Sequence, residues 1–154
     1  MSNTYSQIYV QVVFAVQFRK ALIKEPWKES LYAYIIGIVN NNKSKVLVIN
    51  GVEDHIHILI GLSPDIPLSM LVKDIKQSSS KWINQHIHKG KSVFRWQSGF
   101  AAFSYGRSGI EAVANYIRNQ EEHHKRTSTR QEQIIFLKAF NVDFDERYIF
   151  KEPE

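Results

Sequence analysis

The sequence contains no cysteine. That excludes disulfides, thiolate zinc sites, iron–sulfur clusters and cysteine nucleophiles, and it leaves His, Asp, Glu, Gln and Asn as metal ligands. No run approaches the ~18 consecutive apolar residues of a membrane-spanning helix, so no membrane association is expected. The opening "MSNTYSQ" is not basic and leads into no apolar signal core; the expected compartment is the cytoplasm. Acidic residues are in deficit: 20 Lys and Arg against 15 Asp and Glu give a net charge of +5. An excess of this kind suits a polyanionic partner, although it also fits an ordinary basic surface. There is no repeat, linker or low-complexity tract, and 154 residues suit one domain.

What is present reads as alternating elements. "IYVQVVFAVQF" (8–18) has strand character, and Trp27, Leu31, Ile35 and Ile38 follow helical spacing up to "NNNKS". "KVLVING" (45–51) predicts a strand closed by an Asn-Gly turn, which makes a hairpin with "DHIHILIGL". "SPDIPLS" breaks the chain before a helix with Leu68, Leu71, Val72, Ile75, Trp82 and Ile83 on its buried side. "FRWQSGFAAFSYG" (94–106) predicts a strand around a glycine. "SGIEAVANYIRNQEEHH" predicts a third helix, and "RQEQIIFLKAF" a shorter one before an irregular tail. The first six elements match the split β-α-β-β-α-β arrangement: an α+β, ferredoxin-like antiparallel sheet with helices on one face, followed by C-terminal helices.

Within "VEDHIHILIG" (52–61), His55 and His57 are two apart on a strand and so project from one face, opposite Ile56, Ile58 and Ile60. Two such imidazoles can converge on a metal ion, or simply occupy an exposed face. A second His-Ile-His, at His86 and His88, ends a helix, where residues two apart do not share a face. There His86 is expected to continue the buried stripe and His88 to point away from it. "HIHILIGL" also resembles a truncated histidine-triad signature, but Leu59 stands at the third position. In the third helix Tyr116 and Gln120 are four apart and stack on one face, at the border of the buried stripe. His123 and His124 are expected to face solvent.

Taken together, "EDHIHILI", "KWIN", "FRWQSGFAAFSYG" and "VANYIRNQEEHHK" resemble the single-tyrosine HUH transposases, where HUH stands for His-hydrophobic-His. That family includes small insertion-sequence transposases acting on single strands and their palindrome-associated domesticated relatives. The likeness makes residues 1–154 a single domain with its core at about residues 5–145. It implies that Tyr116 is the nucleophile and that His55, His57 and Gln120 bind a divalent cation, Mg²⁺ or Mn²⁺. It also implies cleavage of single-stranded DNA beside a hairpin, a 5′-phosphotyrosine link and a free 3′-hydroxyl, with joining by reversal. The family assembles as a homodimer with composite sites, each tyrosine reaching the partner's His pair, and nucleoid association would follow from the substrate.

Arg19, Lys20, Lys73, Lys76, Lys81, Arg95 and Arg118 are candidates for backbone phosphates. Trp96 or Tyr105 could stack on unpaired bases. The competing reading is a non-catalytic ferredoxin-like nucleic-acid-binding module that uses an open sheet face.

Overall fold

A computed structural model describes residues 4–154. The elements are β1 (Tyr9–Ala15), α1 (Glu25–Asn41), β2 (Lys45–Val52), β3 (His55–Gly61), α2 (Leu68–His86), β4 (Ala101–Tyr105), α3 (Ile110–Arg118), α4 (Gln120–His123) and α5 (Thr129–Ala139). The first six follow the expected βαββαβ order. The sheet is four-stranded and antiparallel, in the order β2-β3-β1-β4. β3 and β1 are therefore central, and each side chain of β3 is walled in by neighbours. No helix among the described residues is long and apolar enough to cross a membrane.

The pleat divides β3 between two environments. Ile56, Ile58 and Ile60, fully buried, join Val12, Phe14, Leu31, Ile35, Leu71 and Ile75 in the main core under α1 and α2. Leu59 points the other way and packs with Ala114 and Ile117 of α3. Both faces of the sheet are thus covered, with α3, α4 and α5 over the histidine side. The competing nucleic-acid-binding module would need that side open.

The Asn-Gly turn is misplaced in the sequence reading. Asn50 and Gly51 lie inside β2, and the hairpin turns at Glu53–Asp54. Gly51 is required for close approach instead: a Cβ there would stand 2.2 Å from the His55 carbonyl oxygen. Asn50 Nδ2 donates to the carbonyls of Ile117 (3.1 Å) and Arg118 (2.9 Å), capping α3 against the sheet.

Three further details differ. The strand expected over 94–106 is regular only at Ala101–Tyr105, with Trp96 in an isolated bridge to Val16. Trp96 is buried, edge-on to Phe14 and Phe94, with its indole N–H on Ser79, so it offers no stacking surface. The long third helix breaks at Asn119 into α3 and α4. Finally, His86 is exposed, while His88 Nε2 is buried without a hydrogen-bond partner among the described residues. The expected roles of those two are reversed, because α2 ends at His86 and the chain then turns back under itself.

Candidate metal centre and tyrosine site

His55 and His57 stand on the α3–α5 side of β3, both fully buried, with ring centroids 5.1 Å apart. Opposite them, α5 is started by a capping box: the Ser128 side chain accepts from the Gln131 backbone, and the Gln131 side chain accepts from the Ser128 N–H. That start fixes which side of α5 meets the sheet. Thr129, Glu132 and Phe136, at spacings of three and four, line up facing β3 and β4.

Glu132 is the centre of the site. Its Oε1 lies 2.8 Å from His57 Nε2 and 3.3 Å from His55 Nε2. Its Oε2 lies 3.0 Å from His124 Nε2, receives the Gln120 amide at 3.3 Å and accepts the Tyr116 hydroxyl. The ligand atoms of His55, His57, His124 and Glu132 all fall within 4.8 Å of one another. Despite its 3.0 Å approach, His124 Nε2 is buried and has no aligned hydrogen-bond partner among the described residues. An orphaned imidazole nitrogen aimed at two other imidazoles and a carboxylate is what a cation would satisfy. The site fits a divalent metal.

A second layer orients the ligands. Asp54 Oδ1 accepts from His55 Nδ1 (2.8 Å) and from the Thr129 hydroxyl (2.8 Å), which holds the His55 proton on Nδ1 and turns Nε2 toward the cluster. Gln11, fully buried in β1, places its amide 2.8 Å from His57 Nδ1 and accepts from the Tyr105 hydroxyl at 2.6 Å.

The electrostatics follow from this packing. Burial works to lower His55, but hydrogen bonds to Asp54 and Glu132 outweigh it and raise its pKa to about 9. Burial wins at His57, which falls to about 4. Burial would raise Glu132; the nearby His124, His55 and His57 hold it well below the carboxylate range. Tyr116 is pushed above the usual phenol range by burial and by the Glu132 carboxylate. Without a cation, then, the phenol stays protonated.

Of the expected residues, the structure brings His55, His57, Gln120 and Tyr116 together. Gln120 Oε1 is 3.2 Å from His55 Nε2, and the Tyr116 ring lies 6.0 Å from His57 of its own chain. His124, expected to face solvent, points into the site instead. It lies one more helical turn beyond Tyr116 and Gln120, a signal that the spacing offered. Gln11, a lone polar residue in an apolar strand, was also visible. Glu132, Asp54 and Thr129 were not singled out.

The seven basic candidates scatter. Lys73 and Lys81 are exposed on α2, which covers the opposite side of the sheet. Lys76 is half-buried, its ammonium donating to the Gln97 carbonyl at 2.9 Å. Arg95 and Lys20 are exposed outside the site. Arg19 borders a cleft of about 440 Å³ that reaches His124 and Thr129. Arg118 is exposed on α3 and bonded to Asn115. The cations beside Tyr116 are two that sequence reasoning missed: Lys125 and Arg126 line a groove of about 610 Å³ with Tyr116 and His123.

Among curated proteins, none matches the sequence. Among the solved structures that share the fold are two transposase-like proteins. One is a protein of Deinococcus radiodurans provisionally assigned as a transposase: TM-score 0.61, 16% identity, covering 78% of this chain and 95% of that one. The other is a REP-associated tyrosine transposase bound to a REP hairpin: TM-score 0.61, 12% identity, covering 98% of this chain and 91% of that one. The family model described as "Transposase IS200 like" matches residues 4–120, from before β1 to the Gln120 amide, and the chain belongs to that family of transposases.

Proposed function

We propose that this transposase nicks and rejoins single-stranded DNA beside hairpins, with Tyr116 as nucleophile and a divalent cation held by His55, His57, His124 and Glu132. The observation that carries this reading is the meeting of the Tyr116 hydroxyl and the imidazole cluster on one carboxylate, Glu132. The hairpin substrate rests on the family and on the hairpin held by the REP-associated neighbour.

The Tyr116 oxygen attacks phosphorus, the bond to the 3′-oxygen breaks, and the strand is left with a 5′-phosphotyrosine and a 3′-hydroxyl. The phenolic proton has Glu132 as its acceptor in the resting site, and the departing 3′-oxygen takes up a proton. Reversal by another 3′-hydroxyl rejoins strands without a nucleotide cofactor. The cation, when bound, supplies charge compensation at the phosphate oxygens. Gln120 holds Glu132 in place and faces His55, so its amide serves as an added ligand or as a positioning group. Three imidazoles with one carboxylate suit Mn²⁺ better than Mg²⁺.

The Tyr116 ring lying against its own His57 supports a site built within one chain; the composite sites of a homodimer, which the family resemblance implies, are the alternative. Lys125, Arg126 and Arg118 flank the tyrosine and provide the phosphate path. Whether the gene is mobile or domesticated is answered by the DNA that flanks it, not by the chain.

The test is incubation of hairpin-bearing single strands, drawn from the DNA flanking the gene, with the protein and Mn²⁺. A covalent adduct is expected on a denaturing gel, lost in Tyr116→Phe. Binding without an adduct on every such substrate would return the protein to the binding-module reading.

A further inference from the structure

A second cleft meets Tyr116, lined by neither Lys125 nor Arg126. It has a volume of about 340 Å³ and is walled by Tyr105, Val113, Tyr116, Ile135, Phe136 and Phe140. Its rings are organised. Phe136 and Phe140, one helical turn apart on α5, lie within 20° of parallel with centroids 6.4 Å apart. The Tyr116 ring stands edge-on to Phe136 at 5.5 Å, and the Tyr105 ring edge-on to Phe140 at 5.5 Å. Part of this apolar surface is open: Ile135 is 60% exposed and Phe140 38%. Contiguous exposed apolar surface lining a cleft with a few polar groups is the pattern of a ligand site.

We propose that this cleft holds an unpaired nucleobase next to the phosphate that Tyr116 attacks. The inference rests on the proposed function, since it takes single-stranded DNA as the substrate, and it adds the place where the strand is read. The argument is the pairing of two unlike clefts at one residue. Tyr116 and His123 border both the polar groove of Lys125 and Arg126, where Glu122 pairs with Lys125 at 2.8 Å and Arg126 adds a net positive charge, and the apolar cleft of Phe136 and Phe140. A single strand has the same division: a charged backbone on one side and flat, apolar base faces on the other. A strand with its phosphate at Tyr116 and its backbone along the lysine–arginine groove would turn a neighbouring base toward the rings. The polar edge of the cleft offers an acceptor: the Tyr105 hydroxyl spends its proton on Gln11 and leaves its oxygen lone pairs to accept. A base amino or imino N–H is therefore the complementary edge.

The probe is an oligothymidylate carrying one 2-aminopurine, whose fluorescence falls when it stacks. It is scanned across positions on the Tyr116→Phe protein, so that no chemistry intervenes. Quenching is expected in wild type and in Tyr116→Phe, and its loss is expected in Phe140→Ala and in Ile135→Asp, both at exposed positions. An abasic site at the quenched position should weaken binding by about 5–150-fold in wild type, the range for one stacked base. In Phe140→Ala that penalty should shrink toward none, because the two changes remove the same contact. Quenching at no position, or quenching indifferent to both substitutions, would overturn the proposal while leaving adduct formation by Tyr116 untouched. Conversely, quenching with no adduct on any substrate would keep the base cleft and remove the chemistry. A second copy of the chain in the cleft would also overturn it: fluorescence would not change, and Ile135→Asp would convert a dimer to a monomer in sedimentation.

Discussion

The two sides of β3 are equally buried and chemically opposite. Toward α1 and α2 it presents Ile56, Ile58 and Ile60, sealed in hydrocarbon. Toward α3–α5 it presents His55 and His57, equally buried but satisfied atom by atom through Asp54, Thr129, Gln11, Gln120 and Glu132. One strand thus anchors the fold with its even-numbered side chains and the candidate metal centre with two of its odd ones, His55 and His57. The first side needs only volume and apolarity. The second needs named partners at hydrogen-bond distance, because a buried imidazole without them is costly. The consequence is a division of labour that single substitutions can expose.

The largest effect on stability should come from the apolar side. Ile58→Ala leaves a cavity between β3 and the helices and is expected to cost about 2–5 kcal/mol in urea unfolding, with manganese binding surviving wherever the protein stays folded. His124→Ala should do the opposite. Calorimetric Mn²⁺ affinity is expected to fall by at least about tenfold, with a smaller change in urea midpoint than Ile58→Ala gives, since the substitution removes a ligand nitrogen that has no aligned hydrogen-bond partner among the described residues. His86→Ala, on exposed surface, is the control and should change neither. If His124→Ala binds Mn²⁺ as wild type does, the cluster is a hydrogen-bond network and not a metal site.

How much of this contrast the sequence shows depends on how local each signal is. The His55 and His57 alternation is legible because a strand repeats every two residues, and Tyr116–Gln120 because a helix repeats every 3.6. The same helical step places His124, but a pair of adjacent histidines in "EEHH" also reads as solvated surface. Glu132 is beyond such reasoning. Its position depends on the reversal between α4 and α5 and on the Ser128 cap, and no spacing along the chain measures that. Asn50-Gly51 shows a local signal overridden: the dipeptide fits a turn, yet close packing against the His55 carbonyl claims the glycine and α3 claims the asparagine.

Smaller effects should sharpen the comparison. Asp54→Asn keeps the shape beside His55 but loses the carboxylate that fixes its Nδ1 proton. Mn²⁺ affinity is expected to drop by about 10–100-fold, while an unchanged affinity would make Asp54 only a turn residue. The weakest effect lies on the other side of the sheet. Burial lowers Lys76 to about 8 from an ordinary 10.5. Above pH 8 the folded chain releases this proton while the unfolded chain still holds it, so Lys76 should destabilise progressively less as pH rises from 8 toward 10. Wild type should therefore gain stability relative to Lys76→Met between pH 7 and pH 9.5. A difference that stays flat across that window would mean the ammonium remains charged, held by the Gln97 carbonyl.

The most direct measurement asks whether the odd-numbered side of β3 and the tyrosine that faces it form one site in one chain. His57→Ala protein and Tyr116→Phe protein, each unable to form an adduct, are mixed under conditions where any subunit exchange is followed independently, and then given hairpin DNA and Mn²⁺. With Tyr116 serving the histidines beside it, every chain in the mixture carries a broken site and no covalent adduct is expected. Adduct returning in the mixture, carried only on the His57→Ala chain, would show that the tyrosine reaches a partner's imidazoles and would contradict the single-chain site.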